Sequence, residues 1–264
     1  MTIVAFYSKG TSIEVQNTWS KRLKFYYPSL KLVPLLSEEA KFATVALLWK
    51  APLNYLNKMT RIKGLISLGQ GVDHILNGNL IPENIPVVRI VDPYMAKSMS
   101  HWVLLSILNI IRDTYGYFSQ ENTKIYKPRH EKNFLSLKIG VYGIGAIGSV
   151  VAKDLSYMGF NVQGWSRTKK KIKTITCFSG NEGFKELITN SDIHVCLLPL
   201  TPSTENIFNK HKFINMKKGS CFINAGRGEH VDENHLLDSC RSGHISNAVL
   251  DVYRNEPLPK NHPF

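Results

Sequence analysis

Apolar and polar positions along the chain follow two rhythms in turn. Short apolar runs in the first third, "IVAFYS", "LKLVPL", "VALLW", "LISLG" and "VVRIV", are bounded by polar and turn-forming residues and predict β-strands. Between them, Ser12 to Phe25 and Pro52 to Met59 carry helical spacing. From Met95 to Phe118, "MAKSMSHWVLLSILNIIRDTYGYF" predicts one long helix with an apolar side and polar ends. A charged loop, "QENTKIYKPRHEKNF", with the turn-prone Pro128, separates it from a second series of strands. These are "KIGVYGI", "NVQGWS", "TITCFS", "IHVCLLPL", "SCFINAG" and "SNAVLDV", again with helices between them. Strands alternating with helices predict an α/β protein with parallel sheets, the second of them doubly wound. The predicted divisions are a smaller α/β domain over 1–94, a connecting helix over 95–120 and a second domain over 121–264.

At 264 residues the chain has room for two small domains, and its 43% apolar content supplies ordinary cores. The net charge of +13 invites a nucleic-acid reading, but the lysines are scattered. The densest cluster, "SRTKKKIK", directly follows a strand and has few aromatics interleaved with it, so no nucleic-acid partner is expected. Cys177, Cys196, Cys221 and Cys240 lie far apart without a C-x-x-C pair, which predicts reduced, buried thiols and neither disulfide nor metal site. The N-terminus lacks the charged start and apolar core of a secretory signal, and no apolar run approaches the roughly 18 residues of a membrane span. A cytoplasmic protein without membrane partner is the expectation.

"GVYGIGAIGSVVAKDLSYMGF" contains G-x-G-x-x-G as Gly143, Gly145 and Gly148, with Ala146 and Ile147 inside it. The pattern is weak alone, but here a strand precedes it, a helix follows it, and a second strand, "NVQGW", stands at the distance of a βαβ unit. Gly143 permits a tight turn, Gly145 lets backbone N–H groups approach a pyrophosphate, and Gly148 lets helix and strand pack closely. At the end of the second strand, where an NAD-binding unit places an acidic residue, stands Ser166, and no carboxylate occurs between Asp154 and Glu182. Arg167, Thr168, Lys169, Lys170 and Lys171 offer donors and positive charge instead, with Arg167 able to hold a phosphate by its planar fork. NADP(H) is therefore expected over NAD(H).

Further on, "FINAGRGEHVDENHLL" places Arg227 between Gly226 and Gly228 at the carboxyl end of a strand. The two glycines are expected to leave Arg227 uncrowded and let a small molecule approach the backbone. A guanidinium there can grip a carboxylate in bidentate fashion and polarise an adjacent carbonyl, which suits a 2-keto acid awaiting hydride. Asp251 lies near the end of the next strand and Glu256 in the loop beyond; a carboxylate there could orient an imidazole, although an exposed loop residue is the plainer reading of Glu256.

Several separated motifs in this order, "LLWKAP", "LGQGVD", "GWSRTKK", "LLPLTPST", "NAGRGEHV" and "LDVYRNEPLP", give the chain a close resemblance to the D-isomer-specific 2-hydroxyacid dehydrogenase family, over essentially every residue. The resemblance implies a flavodoxin-like substrate domain, a Rossmann cofactor domain, a homodimer, and reduction of glyoxylate or hydroxypyruvate by NADPH. It implies that Arg227 binds substrate and polarises the carbonyl and that Glu256 supports a catalytic histidine. It also implies that backbone amides of Gln70, Gly71 and Val72 hold the substrate carboxylate, with Trp49 lining the pocket. Asp251 would contact the nicotinamide amide, and Pro199, Leu200, Thr201 and Ala225 would lie along the cofactor.

In the family the proton donor is a histidine in a Thr-Pro-His motif, and this sequence ends before it. The expectation is an incomplete chain without the family's closing C-terminal helix, so that an apolar groove on the first domain is exposed. His262 is read as a solvent-exposed bystander, and the direction of His230 is left open. The alternative is a catalytically silent NADP(H)-binding or interaction protein on the same fold.

Overall fold

The chain divides into two units, Met1–Asp92 and Pro93–Phe264, each built on its own parallel sheet. The computed structural model describes residues 1–76, 81, 84–129 and 133–264, with Phe134 described by its backbone alone. Residues 130–132 of the expected charged loop, His130 among them, lie outside the described residues.

In the first unit, β1 (Thr2–Ser8), β2 (Leu30–Pro34), β3 (Val45–Trp49), β4 (Gly64–Ser67) and β5 (Val87–Arg89) form a sheet of order β2-β1-β3-β4-β5. That is the flavodoxin-like order, in which the chain reverses direction across the sheet beside β1. Strand alternation sorts the side chains. Ala5, Val33, Ala46, Leu48 and Leu65 gather on one face, while Val4, Phe6 and Leu47 meet Trp19 and Leu23 of α1 (Ile13–Tyr26) on the other. The expected helix at 52–59 is a 3-10 helix over Leu53–Lys58, and the short α2 (Asp73–Leu76) follows β4. A groove of ≈ 420 Å³ on this unit is of mixed character, with Leu56, Met59, Ile62 and Ile85 beside Asn57, Thr60 and Asn84.

In the second unit, β6 (Lys138–Tyr142), β7 (Asn161–Ser166), β8 (Thr176–Ser179), β9 (Ile193–Cys196), β10 (Ser220–Asn224) and β11 (Ile245–Leu250) form a parallel sheet of order β11-β10-β9-β6-β7-β8. Read from β8, this is the Rossmann order, and its switch point lies between β6 and β9. Ile139 and Val141 of β6 face a core shared with α3 (Pro93–Ile111) and α5 (Ala146–Tyr157). Tyr142 faces the opposite layer, built from Trp165, Phe184, Phe208, Phe213 and Phe222. Both faces are covered, which is why these strands read as continuous apolar runs and not as alternating ones.

The expected single connecting helix is two helices. The chain breaks between α3 and α4 (Thr114–Thr123) at Asp113, which adopts φ 50 in the left-handed region and bonds Arg129 through its carboxylate. A short polar side chain tolerates that conformation better than most, so Asp113 turns the chain where apolar periodicity alone gave no signal. The unit boundary falls at Asp92/Pro93, two residues ahead of the expected 94/95. α3 is tied to α5 by Asp154: partial burial would raise its carboxyl, but hydrogen bonds from Lys97 and Ser100 outweigh this and hold it below the usual value. Cys177, Cys196, Cys221 and Cys240 are all free thiols, although only Cys196 and Cys221 are buried.

Inside the second unit, His194 and Tyr142 are both fully buried, with the Tyr142 hydroxyl 2.8 Å from His194 Nδ1. Burial pulls the imidazole from 6.5 down to about 3, so it is neutral in the fold. The unfolded chain takes up a proton there below pH 6.5 and the native state does not until about pH 3. His194 therefore makes the protein lose about 1.4 kcal/mol of stability per pH unit as pH falls through that window. Urea midpoints measured across it should drop accordingly, and the drop should be shallower in His194→Gln.

Candidate active site

The glycine turn after β6 is shaped by three separate steric demands. Gly143 has φ +97, and a side chain there would place its Cβ 2.6 Å from the Leu197 carbonyl oxygen. At Gly148 a Cβ would lie 2.1 Å from the carbonyl oxygen of Gly143, so α5 can sit this close to β6 only with hydrogen in that place. At Gly145, the residue preceding α5, nothing lies within 4 Å. The first and third glycines are thus used by the protein itself, and the second faces open space next to the amides of Ala146 and Ile147 at the helix start. Those first-turn N–H groups and the helix dipole favour an anion.

β7 ends beside this turn, with the amides of Gly143 and Ile144 donating to the Trp165 carbonyl at 2.8 and 3.2 Å. Ser166 is buried and its hydroxyl donates to the Thr168 carbonyl at 2.8 Å, curling the loop so that Arg167, Thr168 and Lys169 stand exposed. Lys170, read from the sequence as one more donor of this segment, has a particular place. Its ammonium donates to the Ile144 carbonyl at 3.0 Å and so brings a cation onto the glycine turn. Its place four residues after the strand end was the available signal.

Across the switch point, Pro199, Leu200 and Thr201 follow β9. Thr204 pins them, its hydroxyl bonding the Pro199 carbonyl and accepting the Thr201 amide, both at 2.8 Å. Ala225, half-buried after β10, donates its amide to the Cys196 carbonyl at 3.1 Å. Burial pushes the Cys196 thiol up to about 12, which makes it an inert packing group.

The Arg227 loop corrects the expectation that its flanking glycines serve ligand approach. A Cβ at Gly228 would lie 2.0 Å from the Tyr253 carbonyl carbon, and one at Gly226 would lie 2.9 Å from His230 Nδ1. Both glycines are there so that the protein can close on itself. His230, whose direction sequence left open, is fully buried and accepts the Arg227 amide on Nδ1 at 3.0 Å, while Asn224 Nδ2 donates to the Arg227 carbonyl at 2.9 Å. The half-buried guanidinium donates through Nη1 to the Gly226 carbonyl at 2.8 Å.

Arg254 fastens the following segment to this loop. Its guanidinium donates to the carbonyls of Val231 (3.0 Å) and Glu229 (3.1 Å) and to Asn206, and its amide donates to Glu233 at 3.1 Å. Asp251 and Glu256 sit on either side of that clasp. Partial burial, and then the charge of Glu256, push the Asp251 carboxyl above its ordinary value. Glu256 itself is exposed and accepts the Tyr253 amide at 3.3 Å. His262 is not the exposed residue expected: it is half-buried, with Nε2 3.5 Å from Glu233 and its ring against Phe264.

In the first unit, Trp49 closes β3 and Lys50 follows with φ 46, while Ser67 closes β4 ahead of the loop holding Gln70, Gly71 and Val72. The Trp49 ring is half-buried and lies so close to Gly69 that a Cβ there would be 2.3 Å from it. Arg89 donates to the Gln70 carbonyl at 3.2 Å. No group of three His, Cys, Asp or Glu side chains suited to a metal ion occurs among the described residues, and no described helix is long and apolar enough to cross a membrane.

Residues 103–264 match the sequence model described as D-isomer specific 2-hydroxyacid dehydrogenase, NAD binding domain. The chain belongs to the D-isomer specific 2-hydroxyacid dehydrogenase family. It is 33% identical over 251 residues to glyoxylate/hydroxypyruvate reductase A of Yersinia enterocolitica, covering 93% of this chain and 80% of that reductase. Among solved structures it is similar to a 2-hydroxyacid dehydrogenase of this family from Xanthobacter autotrophicus Py2 in complex with NADPH and MES. That similarity has a TM-score of 0.91 and 32% identity, and covers 99% of this chain and 84% of that one. It is also similar to an NADPH-dependent glyoxylate/hydroxypyruvate reductase from Sinorhizobium meliloti in complex with NADP and sulfate, with a TM-score of 0.89 and 29% identity over 100% of this chain and 85% of that one. The parallel α/β architecture and the NAD(P)-dependent dehydrogenase class follow from this membership.

The glycines of this dehydrogenase separate packing from ligand approach. Gly148→Ala should destabilise the protein by about 1–3 kcal/mol, because the helix must move away from β6. Gly145→Ala, with open space around it, should cost far less stability while weakening dinucleotide binding. Thermal unfolding together with cofactor titration of the two variants checks the distinction.

Proposed function

We propose that this dehydrogenase uses NADPH to reduce a small 2-keto acid, glyoxylate or hydroxypyruvate, to the 2-hydroxy acid. The observation that carries the reading is the charge around the glycine turn. The position after β7 that would carry an acidic residue in an NAD site is Ser166, and the loop beyond it exposes Arg167 and Lys169 and lays Lys170 onto the turn. A 2′-phosphate meets partners there, whereas a bare ribose finds no carboxylate to accept its hydroxyl protons. The NADPH and NADP named in the solved relatives support the same choice.

In this reading Gly143, Gly145, Ala146, Ile147 and Gly148 form the pyrophosphate turn. Ser166, Arg167, Thr168 and Lys169 surround the adenosine end, and Pro199, Leu200, Thr201 and Ala225 lie along the cofactor. Asp251 takes the nicotinamide amide. Bound NADPH supplies the hydride. Arg227 grips the substrate carboxylate and polarises the carbonyl that receives it, its backbone held rigid by His230 and Asn224. The amides of Gln70, Gly71 and Val72 take the carboxylate beside Trp49, and Glu256 is the carboxylate that supports an imidazole. A homodimer formed through the second unit is part of the proposal. Leu105 and Leu108 of α3 and Tyr115, Tyr117 and Phe118 of α4 stand exposed and supply an apolar face for it.

Titration with both cofactors tests the reading. NADPH should bind more tightly than NADH, and Arg167→Ala should weaken NADPH by about 1.5–3 kcal/mol, tenfold or more, with little effect on NADH. Equal or tighter binding of NADH would overturn it.

One observation favours a second reading, a dinucleotide-binding protein that turns over little. Of the described histidines, His74, His194, His211, His230, His235, His244 and His262 are engaged with other groups of the protein, and His101 lies exposed on a helix. We assign the proton-donor role to none of them. Loss of a general acid costs about 10² to 10⁴ in rate. A polypeptide of these 264 residues should therefore oxidise NADPH with glyoxylate that much more slowly than the Yersinia reductase, and an equal rate would mean that one of these imidazoles is the acid.

A further inference from the structure

We infer that His74 is a positioning residue which locks together the two loops of the first unit assigned to the substrate, the Trp49–Lys50 turn and the loop from Gly69 to Val72. The inference rests on the proposed role of those loop amides. The amide of Lys50 donates to His74 Nδ1 at 3.2 Å, so Nδ1 carries the lone pair and the ring proton sits on Nε2. That proton points at Ser67 Oγ, 3.0 Å away. Ser67 Oγ also accepts the Gly69 amide at 3.2 Å, which uses its second lone pair, and so its own proton goes to the Gly71 carbonyl at 2.7 Å.

Every donor and acceptor in this relay then has one defined direction, from the turn after β3 to the loop after β4. Ser67 is fully buried, which makes a broken link costly. The Trp49 ring completes the assembly, edge-on to His74 with centroids 4.8 Å apart and packed on Gly69. The left-handed Lys50, φ 46, is a conformation that a non-glycine residue adopts at a cost, and the bond from its amide to His74 holds it there. The imidazole thus fixes where the Gln70, Gly71 and Val72 amides stand relative to Trp49.

The test uses the 264-residue chain saturated with NADPH and titrated with oxamate, a 2-keto acid analogue that accepts no hydride. His74→Phe keeps an aromatic ring against Trp49 but has neither acceptor nor donor. It should weaken oxamate about tenfold or more and leave NADPH affinity within a factor of about two. Ser67→Ala should do the same. The double variant should be no weaker than the worse single by more than about twofold, because both changes break one relay. The imidazole ¹⁵N shifts of the unmodified protein should report the Nε2–H tautomer. Oxamate binding unchanged in His74→Phe, additive losses in the double variant, or an Nδ1–H tautomer would overturn the positioning role. Failure of the unmodified chain to bind oxamate at all would overturn the substrate reading and this inference with it.

Discussion

How closely α5 can approach β6 decides the geometry of the second unit. The carbonyl oxygen of Gly143 lies where a Cβ of residue 148 would be, and the carbonyl of Leu197 lies where a Cβ of residue 143 would be. Two hydrogens thus let the helix after β6 and the loop after β9 press on the same turn. Only with both contacts made does the helix axis aim its first-turn amides at the switch point, where the sheet's strands diverge and leave room for a ligand. The alternation of side chains on β6 then follows. Ile139 and Val141 must fill the α3/α5 face and Tyr142 the other, and the order of the remaining strands is built outward from that choice.

A similar economy of space governs the catalytic candidates. Gly228 lies against the backbone of Tyr253 and Arg254, so the loop with Arg227 and the segment with Asp251 and Glu256 are in direct backbone contact. The Arg254 guanidinium then spans them with three hydrogen bonds, to acceptors of Val231, Glu229 and Asn206 drawn around one planar group. A partly buried cation is tolerated because its donors are met by carbonyl and amide oxygens, and the result is that two candidate carboxylates and the candidate arginine share one rigid support. Their charges are coupled as well: the Asp251 carboxyl is raised partly by Glu256.

The sequence made the sheets legible because buried parallel strands are apolar throughout, and it made the dinucleotide turn legible because glycine is irreplaceable where backbone meets backbone. It was less informative wherever a polar side chain turns inward. Asp113 breaks the long helix through its left-handed backbone, which no periodicity announces. Gly226 and Gly228 read as room for a ligand and proved to be room for His230 and for Tyr253–Arg254. Lys170 read as one more donor of the basic run after β7, and one hydrogen bond to Ile144 places it on the turn itself. Except for His230, four residues from Gly226, the deciding partner is distant in sequence, so local pattern could supply the residue type but not what it faces.

The histidines show the same principle at the level of chemistry. A histidine near a candidate substrate loop invites the role of acid or base, since its unperturbed pKa is the one closest to neutral. Here His74 and His230 each spend Nδ1 accepting a backbone N–H, from Lys50 and from Arg227. An imidazole so used is neutral with its proton on Nε2, because a second proton would set N–H against N–H. Neither ring can carry the positive charge of a general acid without releasing the loop it holds. The same property that makes imidazole a catalyst, two nitrogens of opposite role at fixed separation, makes it a brace between a backbone amide on one side and a buried hydroxyl or packed core on the other. Proton donation and loop support are thus competing uses of one ring, and in this chain the hydrogen-bond directions place both residues on the side of support.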